Sequence, residues 1–402
     1  SHLYQWVYRL MIYLAILIGV LFAFPANAAE YFVSTTGTNS NSCVQSQDPA
    51  TPKLTIAAGV ACLGSGDTLT VAAGTYTNQG ILNPPAGASG AITIIRGDRA
   101  GARPKLVPAG FSSTQRGWYC DKGAGCHHIR MEWFEVDHAY NSVKCAGDPT
   151  FGYCHHLEFI DNIFHDTFSS NMEFNTSSTA FDGGDHLIRG NEFYNTGIGT
   201  PAYGPGHNTI YNTGSRTIVE NNYFHNLING IGIWHSGKYL QGVIVRGNRC
   251  EHVGRNLTDT WYVSGGECIH VSSSGGGHRI YNNVISNSGD GSIFDAIRVN
   301  PQFGKTSLTD VQIYNNSIYK NIHASARAID VTSNMQTPGG VVARNNLALG
   351  TAGINDSSGV AALVASHNRT SGVAGAVWTD PNAGDLSLKS SSPAINAGTD
   401  MG

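Results

Sequence analysis

Short alternations of apolar and polar residues recur along this chain, each followed by a Gly-Asn or Asn-Asn step, an apolar residue, another polar one and a turn. The second polar step falls at Asn162 (LEFIDNIF), Asn191 (LIRGNEF), Asn222 (TIVENNYF), Asn248 (VIVRGNRC), Asn283 (RIYNNVI), Asn316 (QIYNNSI), Asn346 (VARNNLA) and Asn368. Phe134 (MEWFEV) marks an earlier, degenerate copy. The intervals run from 22 to 35 residues with a mean of about 29, a spread expected of repeats that accept loop insertions. Alternation with period two over about four residues predicts short strands, and no segment of the repeat carries helical periodicity. Such a unit cannot bury its apolar face alone, but successive coils stacked through backbone hydrogen bonds can. The expected architecture is an all-β solenoid, a single-stranded parallel β-helix with coils about 4.8 Å apart. Asparagines at equivalent positions can then bond from turn to turn, which makes them structural residues first. A β-propeller is the rival, ranked lower because its hairpins need two-residue turns that the sequence lacks.

A second strand precedes each asparagine strand: SNMEFN (170 to 175), NTIYN (208 to 212), NGIGIW (229 to 234), GECIHV (266 to 271), DAIRV (295 to 299) and ARAIDV (326 to 331). Alternation puts Met172, Phe174, Ile210, Ile231, Ile233, Ile269, Val271, Ile297, Val299, Ile329 and Val331 inside. Two outward columns remain: Ser170, Asn208, Asn229, Glu267, Asp295 and Arg327, and beside them Glu173, Tyr211, Gly232, His270, Arg298 and Asp330.

Composition agrees with this reading. Forty-nine glycines in 402 residues and a charged fraction of only 13% suit many short strands joined by turns. A net charge of -4 with no Lys/Arg run gives no footprint for nucleic acid. The apolar run from Met11 to Phe24, preceded by Arg9 and followed by Ala26-Asn27-Ala28, reads as a signal peptide over residues 1 to 28. It is shorter than the roughly 20 residues a spanning helix needs. Residues 29 to 402 are then expected to form one secreted, periplasmic or cell-surface domain with an N-terminal cap, off the membrane after cleavage and monomeric. Eight cysteines suit an oxidising compartment, and nearness suggests Cys43 with Cys62, Cys120 with Cys126, Cys145 with Cys154 and Cys250 with Cys268. Cys126-His127-His128 and Cys154-His155-His156 repeat at a spacing of 28. Neighbouring strand residues point to opposite faces, so no metal site is expected there.

Three segments carry a resemblance. YFVSTTGTNSNS (31 to 42) with GDTLTVAAGTY (66 to 76) looks like the opening, and DLSLKSSSPAINAG (385 to 398) like the closing segment, of the secreted right-handed parallel β-helix proteins. These are the pectate-lyase-like group of polysaccharide lyases, polyuronate epimerases and pectin hydrolases. The resemblance covers nearly the whole chain beyond the signal and implies the right-handed fold, but these segments recur across many activities.

The second outward column mixes an acid, a phenol, an imidazole and a guanidinium. Elimination in a uronate needs a base for the C5 proton, an acid for the departing oxygen and a cation for charge developing on the carboxylate. His270 is the expected base and Tyr211 the acid, with Arg298 and Arg327 holding the substrate carboxylate. Glu173, His207 and Asp330 are expected at the substrate, with Tyr203, Trp234, Trp261 and Tyr262 as stacking platforms. The expected activity is therefore a lyase acting on an acidic, uronate-containing polysaccharide. Its alternatives are a polygalacturonase-like hydrolase using Glu267 and Asp295, suggested by the similarity of GECIHV, and a non-catalytic carbohydrate-binding or adhesin-like β-helix. Alternating charges in the columns also suit a ladder of ordinary ion pairs. The resemblance admits calcium as a cofactor, with FDGGDH (181 to 186) or GDGSIFD (289 to 295) as oxygen-rich turns, although Asp-Gly turns are common for backbone reasons alone.

Overall fold

The computed structural model describes residues 28–108, 114–121, 125–146, 154–175, 183–198, 208–228, 230–237, 240–253, 266–273, 275–287, 295–301, 308–319, 326–332 and 338–399. Among them, nearly every element is a strand of two to six residues, and the strands assemble into three parallel sheets of twelve, ten and ten. Each sheet takes one strand per coil. Sheet A holds the strands before the asparagine step, such as Ile218–Glu220; sheet B holds those after it, such as Tyr223–Leu227; sheet C holds the strands Met172–Asn175 through Ile354–Asp356 and, earlier, Asn141–Ala146. This is a right-handed parallel β-helix. The residues of the expected signal peptide lie outside the described residues, apart from Ala28. Among the described residues no helix is long and apolar enough to cross a membrane.

The corner between sheets A and B shows why the asparagine step recurs. The residue before each asparagine has left-handed backbone: Asp161 (φ 54°), Asn221 (55°), Asn282 (55°), Asn315 (56°) and Asn345 (57°), with Gly190 and Gly247 in the same role. Asn, Asp and Gly tolerate that conformation best. The following asparagine points inward and makes the ladder. Asn222 Oδ1 accepts from the backbone N–H (2.9 Å) and the Nδ2 (3.0 Å) of Asn191, and Asn222 Nδ2 donates to the Ile188 carbonyl (2.9 Å) and to Asn248 Oδ1 (3.0 Å). The same pattern continues through Asn283, Asn316 and Asn346 to Asn368. Phe134 lacks the side chain, yet its N–H still donates to Asn162 Oδ1 at 2.9 Å.

Inside, like stacks on like. In sheet B, Phe164, Phe193 and Phe224 are in register, with ring centroids 5.3 and 4.9 Å apart, and Cys250, Ile285 and Ile318 continue the row. Four disulfides pair the cysteines as nearness suggested, 43–62, 120–126, 145–154 and 250–268. One seam of the core is polar: Asn212 and His235 face inward and bond at 3.0 Å, while His186 and His278 are buried nearby, each accepting from a backbone N–H. At the N-terminal end a short helix, Ile56–Val60, capped by Thr55, packs over Val33 and Leu69. At the other end Trp378–Asp380 pairs antiparallel with Asp385–Leu388, and buried Trp378 covers Leu347 and Tyr319 on the outer side of sheet B.

Candidate active site on the outer face of sheet C

Register in sheet C aligns one outward residue per coil: Tyr119, Lys144, Glu173, Tyr211, Trp234, His270, Arg298, Asp330 and Asn355. Two places differ from the sequence reading. Trp234, not Gly232, stands between Tyr211 and His270. The chain spends two extra residues at the turn, where Gly230 has φ 96°, so the strand is Ile233–Gly237. A two-residue slip keeps the same face outward and so left the alternation intact. A Cβ at Gly232 would come within 2.8 Å of the Cys268 carbonyl oxygen, which fixes that residue as backbone only. Lys144 is the second difference: its strand, NSVKCA, was not counted among the second strands, and it puts a lysine in the column, ion-paired with Glu173.

His270 is 8% exposed and lies beneath Trp234, the rings stacked at 5.8 Å. Its Nε2 bonds Asn300 Oδ1 at 2.8 Å; a carbonyl oxygen only accepts, so Nε2 carries the proton and the neutral ring keeps its lone pair on Nδ1. That Nδ1 is buried and has no partner among the described residues. Burial pushes the imidazole below its ordinary pKa of 6.5; Glu267 pulls the other way and Arg298 adds to the lowering. In the next coil Arg298 is held through Glu267: Nη1 donates to Oε1 at 3.1 Å, and Oε2 accepts the Gly266 N–H at 3.1 Å. Glu267 is only 1% exposed, whereas about a third of the Arg298 side chain is open to solvent.

Asp295 is buried and accepts the Arg327 N–H at 2.9 Å. Burial, with Asp330 adding, pushes its carboxyl up to about 6 despite that hydrogen bond. Arg327 Nη1 donates to Asp330 Oδ1 at 2.6 Å, and Asn355 donates to the same oxygen at 2.9 Å. Tyr211 meets Trp234 edge-on at 5.1 Å, two coils or about 10 Å from His270. The structure therefore groups His270, Arg298, Glu267 and Trp234, puts Asp295 on the Arg298 coil and Arg327 and Asp330 on the next, and leaves Tyr211 and Glu173 further along the column. Tyr203, His207, Trp261 and Tyr262 lie outside the described residues.

Sequence reading missed a cluster on sheet B. Lys105 Nζ sits 2.9 Å from Glu135 and 2.6 Å from Asp137, while His165 bonds Glu135 at 3.1 Å and Asp166 at 2.6 Å. The sequence signal lay in register alone, because these residues come from three separate coils. As a cation site this cluster already contains a cation, the Lys105 ammonium. The calcium turns fare no better among the described residues: Asp185 is held by both Arg216 nitrogens at 2.7 Å, and His186 is buried. Residues 181, 182 and 289 to 294 lie outside the description. Calcium does not fit the residues described.

Neighbouring histidines at the corner opening sheet A do not point apart. His128 and His156 have left-handed backbone (φ 53° and 52°), which turns each side chain toward its predecessor. Nδ1 atoms of His127 and His128 lie 3.0 Å apart, and those of His155 and His156 lie 2.8 Å apart.

No protein-family model and no curated protein matches the chain. Among solved structures it is similar to pectate lyase Pel9A, at 16% identity over 92% of both chains with a TM-score of 0.58. It is also similar to the GH136 lacto-N-biosidase from Eubacterium ramulus, at 12% identity over 86% of this chain and 68% of that one, with a TM-score of 0.53. The likeness is one of fold: the chain is a right-handed parallel β-helix.

Proposed function

We propose that this protein is an extracellular carbohydrate-active β-helix that cleaves an acidic, uronate-containing polysaccharide by β-elimination on the outer face of sheet C. The observation that carries this reading is the pairing on adjacent coils of a neutral imidazole, its lone pair unpartnered, with a guanidinium anchored by a buried carboxylate. His270 is the proposed base for the C5 proton, its depressed pKa keeping the ring in the base form at neutral pH; Nδ1, buried as the ring stands, reaches the substrate when the ring turns outward. Arg298, fixed by Glu267, receives the uronate carboxylate and stabilises the charge that develops there as the C–H bond breaks. The C4–O bond then breaks, the departing oxygen takes a proton from water, and an unsaturated uronate is left. Trp234, between Tyr211 and His270 in the column, supplies apolar surface beside the base for the sugar. Four disulfides among the described residues agree with an oxidising location.

Hydrolysis is the second reading, favoured by Asp295, whose carboxyl near 6 suits a general acid. Its proposed partner Glu267 is engaged at both oxygens, which supports an anchoring role instead. The test is incubation with alginate, pectate and glycosaminoglycans, with and without calcium, following unsaturated-uronate absorbance and new reducing ends together. Both rising supports elimination; reducing ends alone support hydrolysis; silence in both overturns the depolymerase reading for those polymers.

A further inference from the structure

Where the closing segment of the chain folds back over the corner between sheets A and B, it encloses a cavity of about 560 Å³. Each coil runs through sheets C, A and B in turn, so this corner faces away from the sheet C column. One wall is polar and belongs to the last coils. Asn315 and His367 hold left-handed corner positions (φ 56° and 53°), and Ser317 and Arg369 follow them at the start of sheet B, with Leu347 between those two in register. The facing wall, from the closing segment, is apolar and includes Ala397 and Leu388, which is 45% exposed. That segment is pinned by Asn345, whose Oδ1 accepts the Thr399 N–H at 2.9 Å and whose Nδ2 donates to the Thr399 carbonyl at 2.7 Å.

Arg369 gives the cavity its sign. Arg96, Arg216, Arg246 and Arg279 on the same solenoid each hold a carboxylate. The Arg369 guanidinium has no acidic partner among the described residues, and its buried Nε has no hydrogen-bond partner there. Among the described residues no Asp or Glu lines the cavity, so nothing in the wall neutralises that charge. A guanidinium left unpaired takes a carboxylate, and the neighbouring hydroxyl, amide and imidazole groups suit a ligand rich in hydroxyls. The apolar wall opposite suits the C–H face of a sugar ring, and the volume is that of a small-molecule site. We propose that this cavity binds a small acidic saccharide, a mono- or disaccharide uronate. Its carboxylate is received by the terminal nitrogens of Arg369 and its C–H face lies against Leu347 and Leu388.

Calorimetric titration of the full chain tests this, with D-galacturonate and D-glucuronate as ligands and D-galactose, acetate and the methyl ester of galacturonate as comparisons. The same series is run on Arg369→Met, which keeps an unbranched side chain and breaks no ion pair among the described residues. The expected result is saturable binding of at least one uronate, ~10-fold or more tighter than galactose, acetate or the ester, because only the acid makes the charge-assisted pair. Arg369→Met is expected to bind one uronate fewer per chain. Unsaturated-uronate absorbance from the sheet C reaction is expected to be the same in both proteins, so loss of this site and failure of the elimination are read separately. No saturable uronate binding overturns the proposal, and so does an unchanged number of sites in a folded Arg369→Met. Ester, acetate or galactose binding as tightly as the acid overturns it whether or not the variant folds.

Discussion

Lowering the pH should strain the core through its buried histidines. His235 and His186 are held near pKa 3 and His278 near 4 by burial, against 6.5 when solvated. A histidine with a depressed folded pKa binds fewer protons folded than unfolded. Its contribution is therefore complete above pH 6.5 and is lost as the pH falls from there toward the folded pKa. For His235, moving from pH 7.5 to 4.5 removes about 3 kcal/mol, and His186 and His278 lose stability in the same direction. The perturbation is His235→Gln, which keeps an acceptor for Asn212 Nδ2 and abolishes this titration. Guanidinium unfolding of both proteins at pH 7.5 and 4.5 gives the change for each. The wild type should lose about 3 kcal/mol more than the variant over that interval. A difference within ~0.5 kcal/mol of zero would refute the reasoning, since that is the scatter expected of uncoupled sites.

Three further outcomes follow from particular contacts. Asn222→Leu orphans the buried Asn191 N–H and Ile188 carbonyl and should cost about 3 kcal/mol or more, with hydrogen exchange faster in the coils on either side than at the ends. Arg298→Ala leaves the Glu267 charge buried without its partner and should cost about 3–5 kcal/mol, part of which Glu267→Leu in the same chain recovers in a thermal melt. Because His270 is pushed below 6.5, the acid limb of kcat/KM should fall below that pH; a limb at 6.5 or above removes His270 as the base.

The repeat and its asparagines were legible because each coil obeys the same corner chemistry: one left-handed residue, then one inward amide. Alternation likewise placed Met172, Ile210, Ile269 and Ile297 inside. Register across coils was less legible, since only three-dimensional stacking says which residues are neighbours. Trp234 took the place read as Gly232 because a turn can absorb two residues without changing the face. Lys144 entered the column from a strand that carries no asparagine landmark. The histidine pairs were misjudged for a different reason: alternation assumes extended backbone, and His128 and His156 break it with positive φ. Burial was the least legible property, because Glu267 and Asp295 read as outward acids, and only the packed coils reveal that one anchors a guanidinium and the other is held near pKa 6.

The central claim is that His270 and Arg298 perform an elimination on the outer face of sheet C. Its most direct test follows unsaturated-uronate absorbance and reducing ends for the wild type and His270→Ala on the same uronate polymer, with melting temperatures of both. The account predicts that both signals rise together in the wild type and that neither rises in a folded His270→Ala. Turnover surviving in that variant, or reducing ends appearing without absorbance in the wild type, would contradict it.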